Sequence, residues 1–131
     1  MQYVRGMIRL SANISTLFTD LPFLDRIPVA AKAGFEALEC QFPYEFDPGE
    51  FAARIRQNAL TCVLINAPPG HARERGIASL PGREADFEAS IELAARYAQA
   101  SGAQRVHVMA GLLPEARERR DHLEVYISNI R

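Results

Sequence analysis

Four polar residues stand at or just past the ends of apolar runs, and a fifth lies on such a run, where a folded chain would gather them. They are Asn13, Glu39, Gln41, Asn66 and His107. Glu39 sits between Leu38 and Cys40. A carboxylate in such a setting needs a partner or a ligand, because removing a charge from water is costly. It can accept a hydrogen bond from a substrate hydroxyl, orient a neighbour, or close a structural salt bridge across the sheet end. His107 lies among Val106, Val108 and Met109. Alternation sets it on the face opposite Val106 and Val108, either packed in a core or turned toward a pocket. Its titration range suits proton transfer and hydrogen bonding. Asn13 and Asn66 read as turn residues or as polar groups of a pocket wall. His71, after Pro69-Gly70, and Arg83, at the head of a helix, are weaker pocket candidates. His122 is expected at the surface. An arginine at a helix start can face an anion, and it can equally be an exposed turn residue.

The elements that would carry these residues alternate. Ile8–Asn13, Phe35–Cys40, Leu60–Ile65 and Gln104–Ala110 read as strands. The third is nearly continuous in apolar and β-branched types, as in a parallel strand buried on both faces. Between them lie helical patterns. The first runs from Thr19-Asp20-Leu21-Pro22 to Ala33 with Gly34 as its stop, and Pro28 predicts a kink or two short helices. The second opens at Pro48 and ends near Asn58. The third spans Arg83 to Ser101 with Phe87, Ile91, Ala94, Ala95 and Ala98 on one face. The fourth runs from Pro114 to the end with Leu123, Tyr126, Ile127 and Ile130 as its apolar stripe. The residues from Asn66 to Pro81 form a long irregular connection, a length often associated with function. The order β-α-β-α-β-α-β-α predicts an α/β fold on a parallel sheet. In such folds ligands bind at the carboxyl ends of the strands, which is where the five polar residues fall.

Composition sets bounds on the rest. The 131 residues are 48% hydrophobic and 24% charged, with net charge −1, as expected of a folded domain. The basic residues are almost all arginine and are interleaved with acids, as in Arg117-Glu118-Arg119-Arg120 beside Glu115 and Asp121. That pattern argues against a nucleic-acid partner. No run is long enough to span a membrane. Cys40 and Cys62 make neither a CxxC pair nor a zinc spacing, and read as buried thiols. The expected setting is a reducing cytoplasm. No GxGxxG, GxxxxGK[ST] or GxSxG motif is present.

Several ordered segments resemble the hydroxypyruvate isomerase-like proteins. They are Ser11-Ala12-Asn13-Ile14-Ser15 with Leu17-Phe18-Thr19, Pro22-Phe23-Leu24-Asp25-Arg26, and Ala31-Lys32-Ala33-Gly34-Phe35-Glu36-Ala37-Leu38-Glu39 with Phe42-Pro43-Tyr44. Asn66-Ala67-Pro68-Pro69-Gly70, Leu80-Pro81-Gly82-Arg83-Glu84 and Val106-His107-Val108-Met109-Ala110-Gly111 follow. That family belongs to the xylose isomerase-like TIM barrels, with sugar epimerases and endonuclease IV-type enzymes among its relatives. The resemblance implies a parallel (βα)4 half of a TIM (β/α)8 barrel over residues 1–131, truncated after the fourth βα unit. It implies an intramolecular aldose–ketose isomerase that interconverts hydroxypyruvate and tartronate semialdehyde through an enediol. The alternative substrates are 2-oxo-tetronates or a related sugar. The family's catalytic glutamates and metal ligands lie on later strands, beyond Arg131, so no catalytic or metal-ligating residue is expected here. A divalent cation, Mg²⁺ or Mn²⁺, is expected only in a full-length relative. Asn13, Glu39, Asn66 and His107 inherit a pocket-wall role. The connection after Asn66 is shorter than the family's, and His71 stands where an acid is expected.

Two other outcomes follow from the same pattern. Four parallel strands leave two open edges, so two copies can pair into an eight-stranded ring. A non-enzymatic, flavodoxin-like binding module would instead place helices on both faces of the sheet.

Overall fold

The computed structural model describes residues 9–71, 74–113 and 119–131. Four strands, β1 (Ser11–Asn13), β2 (Ala37–Cys40), β3 (Thr61–Asn66) and β4 (Val106–His107), form one sheet. Its order is β1-β2-β3-β4, and every pairing is parallel. Between them run α1 (Arg26–Lys32), α2 (Pro48–Gln57) and α3 (Glu84–Ser101), and α4 (Arg119–Ile130) follows β4. The helices adjoin one another in chain order, α1 to α2 to α3 to α4. Sequential strands with sequential helices are the arrangement of a barrel wall. The flavodoxin-like alternative requires a reordered sheet clothed on both faces, and it is excluded.

Alternation along the strands separates the two faces. Ala12, Leu38, Cys40, Cys62 and Ile65 are buried against Ile27, Ala30, Phe51, Ile55 and Tyr97 of the helices. Ser11, Asn13, Ala37, Glu39 and His107 are half-buried or exposed on the other face. The pairing of β2 with β3 skips one residue, since Leu38 faces Cys62 while Glu39 faces Leu64. Val63 is therefore the extra residue of a bulge.

Local sequence explains the helix ends. Asp47 caps α2 by accepting from the amides of Gly49 and Glu50, with Pro48 in the first turn, where its missing N–H costs nothing. Gly102 ends α3 in the left-handed conformation.

Of the two outcomes expected for the first helical stretch, two short helices are found, a 3-10 turn at Phe23–Asp25 and α1 from Arg26, with the break before Arg26 and Pro28 in the first turn of α1. Three other expectations change. The buried face of α3 is Phe87, Ser90, Ala94 and Tyr97, and Ala95 is exposed. On α4 the inward residues are His122, Tyr126 and Asn129, while Leu123, Ile127 and Ile130 are exposed. His122, expected at the surface, is only 7% exposed. Ile8 and Pro114, expected to open the first strand and the last helix, lie outside the described residues.

Candidate functional site at the carboxyl ends of the strands

Asn13 and Glu39 end β1 and nearly end β2, and they are partners in the parallel register. Their side chains meet. The Asn13 Nδ2 donates to Glu39 Oε1 at 3.1 Å, and Asn13 Oδ1 accepts from the Ser15 amide at 3.0 Å. The two bonds fix which end of the amide faces which group. They hold one carboxylate oxygen and leave the group further acceptor capacity. Next in the sheet, Asn66 ends β3, is buried, and stands in register with His107 of β4. His107 lies on the face away from the helices, as alternation predicts, and is exposed. Strand ends thus bring Asn13, Glu39, Asn66 and His107 along one rim.

The rim is braced by residues that sequence reasoning did not single out. The Tyr44 hydroxyl donates to the Asn66 carbonyl. Tyr44 packs edge-on against Tyr97 at 4.9 Å, and the Tyr97 hydroxyl donates to the Phe46 carbonyl at 2.6 Å. Burial pushes the Tyr44 phenol up from its ordinary range, so it stays a donor. Arg26 donates from Nε to the Leu21 carbonyl and from Nη1 to the Ile14 carbonyl, both at 2.9 Å, which ties the loop after β1 to α1. Ser15 Oγ accepts from the Gln41 amide at 2.8 Å. Tyr44 and Arg26 stand inside the family-like segments, which was the available signal. Tyr97 lies in an alanine-rich helix and gave none.

His71 and Arg83 belong to a second cluster. Glu74 accepts from the His71 amide at 2.6 Å and from Arg83 Nη1 at 2.6 Å, while Asp86 takes Arg83 Nε. The Arg83 guanidinium holds the Glu74 carboxyl below its ordinary 4.5. Arg83 is thus half-buried between two carboxylates rather than an exposed anion ligand. The described residues of the connection from Asn66 to Pro81 are tied to the rest of the chain. Gly76 bridges to Ala110, the Ser79 amide donates to the Ala110 carbonyl at 2.8 Å, and Asn129 donates to the Ala78 carbonyl at 2.9 Å. A groove lined by Arg9, Ser11, Glu36, Thr61 and Gln104 opens at the opposite, amino end of the strands. Cys40 and Cys62 are buried free thiols on adjacent strands, both pushed up by burial.

Residues 27–131 match the family model described as the xylose isomerase-like TIM barrel. The chain belongs to this family. A 2-oxo-tetronate isomerase of Cupriavidus necator is 47% identical over 126 residues, covering 95% of this chain and 48% of that protein. A hydroxypyruvate isomerase of Escherichia coli is 42% identical over 110 residues, covering 82% and 43%. The crystal structure of an AP endonuclease, family 2, from Brucella melitensis superposes with a TM-score of 0.89 at 42% identity, covering 94% and 48%. The chain spans about half the length of the relatives it matches. Four of the eight strands of a xylose isomerase-like barrel are present, and they form one half of its wall.

Among the described residues, no three His, Cys, Asp or Glu side chains come together as a metal site. The donor set for the family's cation is not met by these residues. No helix among the described residues is long and apolar enough to cross a membrane.

Proposed function

We propose that this chain forms the substrate-holding half of an aldose–ketose isomerase for a small hydroxycarbonyl acid, with hydroxypyruvate and tartronate semialdehyde as the pair. The observation that carries the reading is the Glu39 carboxylate, fixed by Asn13 at the carboxyl rim of the sheet. Moving a proton between adjacent carbons needs a base at the C–H bond and groups that steady the enediol oxygens. Glu39 accepts a hydrogen bond from a substrate hydroxyl, and its position is set before substrate arrives, which lowers the entropic cost of alignment. Asn66 and His107 complete the polar wall on the next two strands. The proton-transfer base is assigned to none of them, because the resemblance puts the family's glutamates on later strands. A 2-oxo-tetronate is the second reading, supported by the 47% identity to the isomerase of that name.

The test is an assay of hydroxypyruvate conversion by the 131-residue chain with Mg²⁺ or Mn²⁺ supplied. No turnover above background is expected. Robust conversion would show that the essential acids are already present, and would contradict the assignment.

A further inference from the structure

Taking the chain as a substrate-holding half, we infer that Tyr44 is the positioning residue of Asn66, whose carboxamide takes the two adjacent oxygens of the hydroxycarbonyl ligand. The two asparagines of the rim are spent differently. Asn13 has both ends of its side chain engaged, Nδ2 on Glu39 and Oδ1 on the Ser15 amide. Asn66 is only 8% exposed. Its backbone amide donates to the Gln41 carbonyl at 3.0 Å, and its carbonyl accepts from the Tyr44 hydroxyl. Among the described residues its side-chain amide has no hydrogen-bond partner. The large majority of buried side-chain polar groups have one, so this group is left for a ligand. Ile65 lies in the core, and alternation therefore sets Asn66 on the face of Glu39 and His107.

The register explains why Tyr44 stands where it does. β2 and β3 are parallel, and a parallel ladder that receives the Asn66 N–H at residue 41 returns an N–H from residue 43. Residue 43 is Pro43, which has no N–H to return. The Tyr44 hydroxyl takes its place on the Asn66 carbonyl. Tyr44 is itself held. Its ring stands edge-on to Tyr97, the Tyr97 hydroxyl donates to the Phe46 carbonyl at 2.6 Å, and the Phe46 amide donates to the Pro43 carbonyl at 3.2 Å. The last peptide of β3 is thus fixed by a side chain in place of the ladder. Releasing its carbonyl lets the Asn66 backbone turn and swings the carboxamide off its line.

The chemistry of the carboxamide selects the ligand. It sets one acceptor oxygen beside one NH2 donor. A hydroxycarbonyl sets a hydroxyl that donates beside a carbonyl that only accepts. Asn66 Oδ1 takes the hydroxyl and Nδ2 takes the carbonyl. Both oxygens of the enediol are hydroxyls, able to donate and accept, so the contact persists through the intermediate. Glu39, ionised, only accepts, and it can hold a hydroxyl but no carbonyl. Asn66 therefore tells an acid with a hydroxyl next to its carbonyl from the same acid without that hydroxyl.

The measurement is nuclear magnetic resonance of the 131-residue chain titrated with hydroxypyruvate and, separately, with pyruvate. Hydroxypyruvate is expected to shift the Asn66 side-chain amide signals and to bind more tightly than pyruvate. Tyr44→Phe is expected to weaken hydroxypyruvate binding about five- to tenfold, the scale of one lost hydrogen bond, and to have no further effect once Asn66→Ala is in place. A merely structural Tyr44 would weaken binding equally with and without Asn66→Ala. Tyr97→Phe, one step back along the same contacts, is expected to act in the same direction and again only through Asn66, which decides the matter if Tyr44→Phe does not fold. Unaltered affinity in Tyr44→Phe, or equal losses in both backgrounds, overturns the assignment. Hydroxypyruvate shifts that reach Glu39 but not the Asn66 carboxamide overturn it and leave the substrate-holding reading intact, whereas no binding at all removes both.

Discussion

At the scale of single residues, the Asn13–Glu39 pair is the feature that the account depends on most. Asn13 serves two partners that are both half-buried, the Glu39 carboxylate and the Ser15 amide. Asn13→Ala is expected to lower stability by about 1–3 kcal/mol, the usual cost of stranding buried polar groups, measured by urea unfolding. Arg9→Ala provides the contrast. Its pair with Glu36 spans 3.4 Å between side chains that are 79% and 77% exposed, and a change within about 0.5 kcal/mol is expected. Cys40 and Cys62 should react with a thiol reagent only as fast as the chain unfolds, since burial keeps both thiols protonated. Rapid labelling of the native chain would contradict their placement. Asn13, Glu39 and Asn66 were legible in the sequence because each stands at the end of a run with strand character, and His107 because it is the polar residue on the fourth; parallel folds gather strand ends. Tyr97 was not legible. Its partner Phe46 is 51 residues away, and no local pattern reports a bond made across that distance.

At the scale of elements, the connection between β3 and α3 is held by backbone approach and by one charge cluster. Gly76 has φ +108°, and a Cβ placed there would lie 2.1 Å from the Met109 carbonyl oxygen. Gly76→Ala therefore clashes with backbone that cannot move aside and also needs a left-handed conformation. A loss larger than 2 kcal/mol is expected, roughly the range of strain and overpacking combined, read as a fall in the urea midpoint. Glu74 adds a pH dependence. Its folded pKa lies below 4.5 because of Arg83, so its contribution is present above that value and is lost as pH falls through the lowered one. The protection factors of the Ser79 and Ala78 amides, corrected for the intrinsic pH dependence of exchange, should fall in the native chain as pH drops through the lowered Glu74 pKa, and should change less in Glu74→Gln. The sequence announced α2 clearly, through Asp47, Pro48 and the spacing of Phe51, Ala52 and Ile55. It misassigned α4. Helical periodicity identifies stripes at i, i+4, i+7, but the helix has two, and the more apolar one, Leu123, Ile127 and Ile130, faces outward. The core takes His122, Tyr126 and Asn129, and Asn129 donates to the Ala78 carbonyl.

At the scale of the whole molecule, length acquires its meaning from topology. One hundred and thirty-one residues satisfy the requirements of one folded unit, and alternating β and α patterns made the fold class readable at once. What alternation alone left open was whether the sheet curls as a wall or lies flat between two helix layers. Sequential strand order and sequential helix neighbours decide for the wall. Tyr44 and Arg26 brace the rim by hydrogen bonds to the Asn66, Leu21 and Ile14 carbonyls. The central claim, that this rim serves isomerisation once acids from the other half face it, has a direct measurement. A chimera would join this chain to the carboxyl-terminal half of the Cupriavidus necator 2-oxo-tetronate isomerase, and proton NMR would follow hydroxypyruvate and a 2-oxo-tetronate in its presence. Isomerisation of at least one of them by the chimera is expected, none by the 131-residue chain, and a raised KM in the Glu39→Gln chimera. A folded chimera that leaves both compounds unchanged, or a Glu39→Gln chimera with unaltered KM, would contradict it.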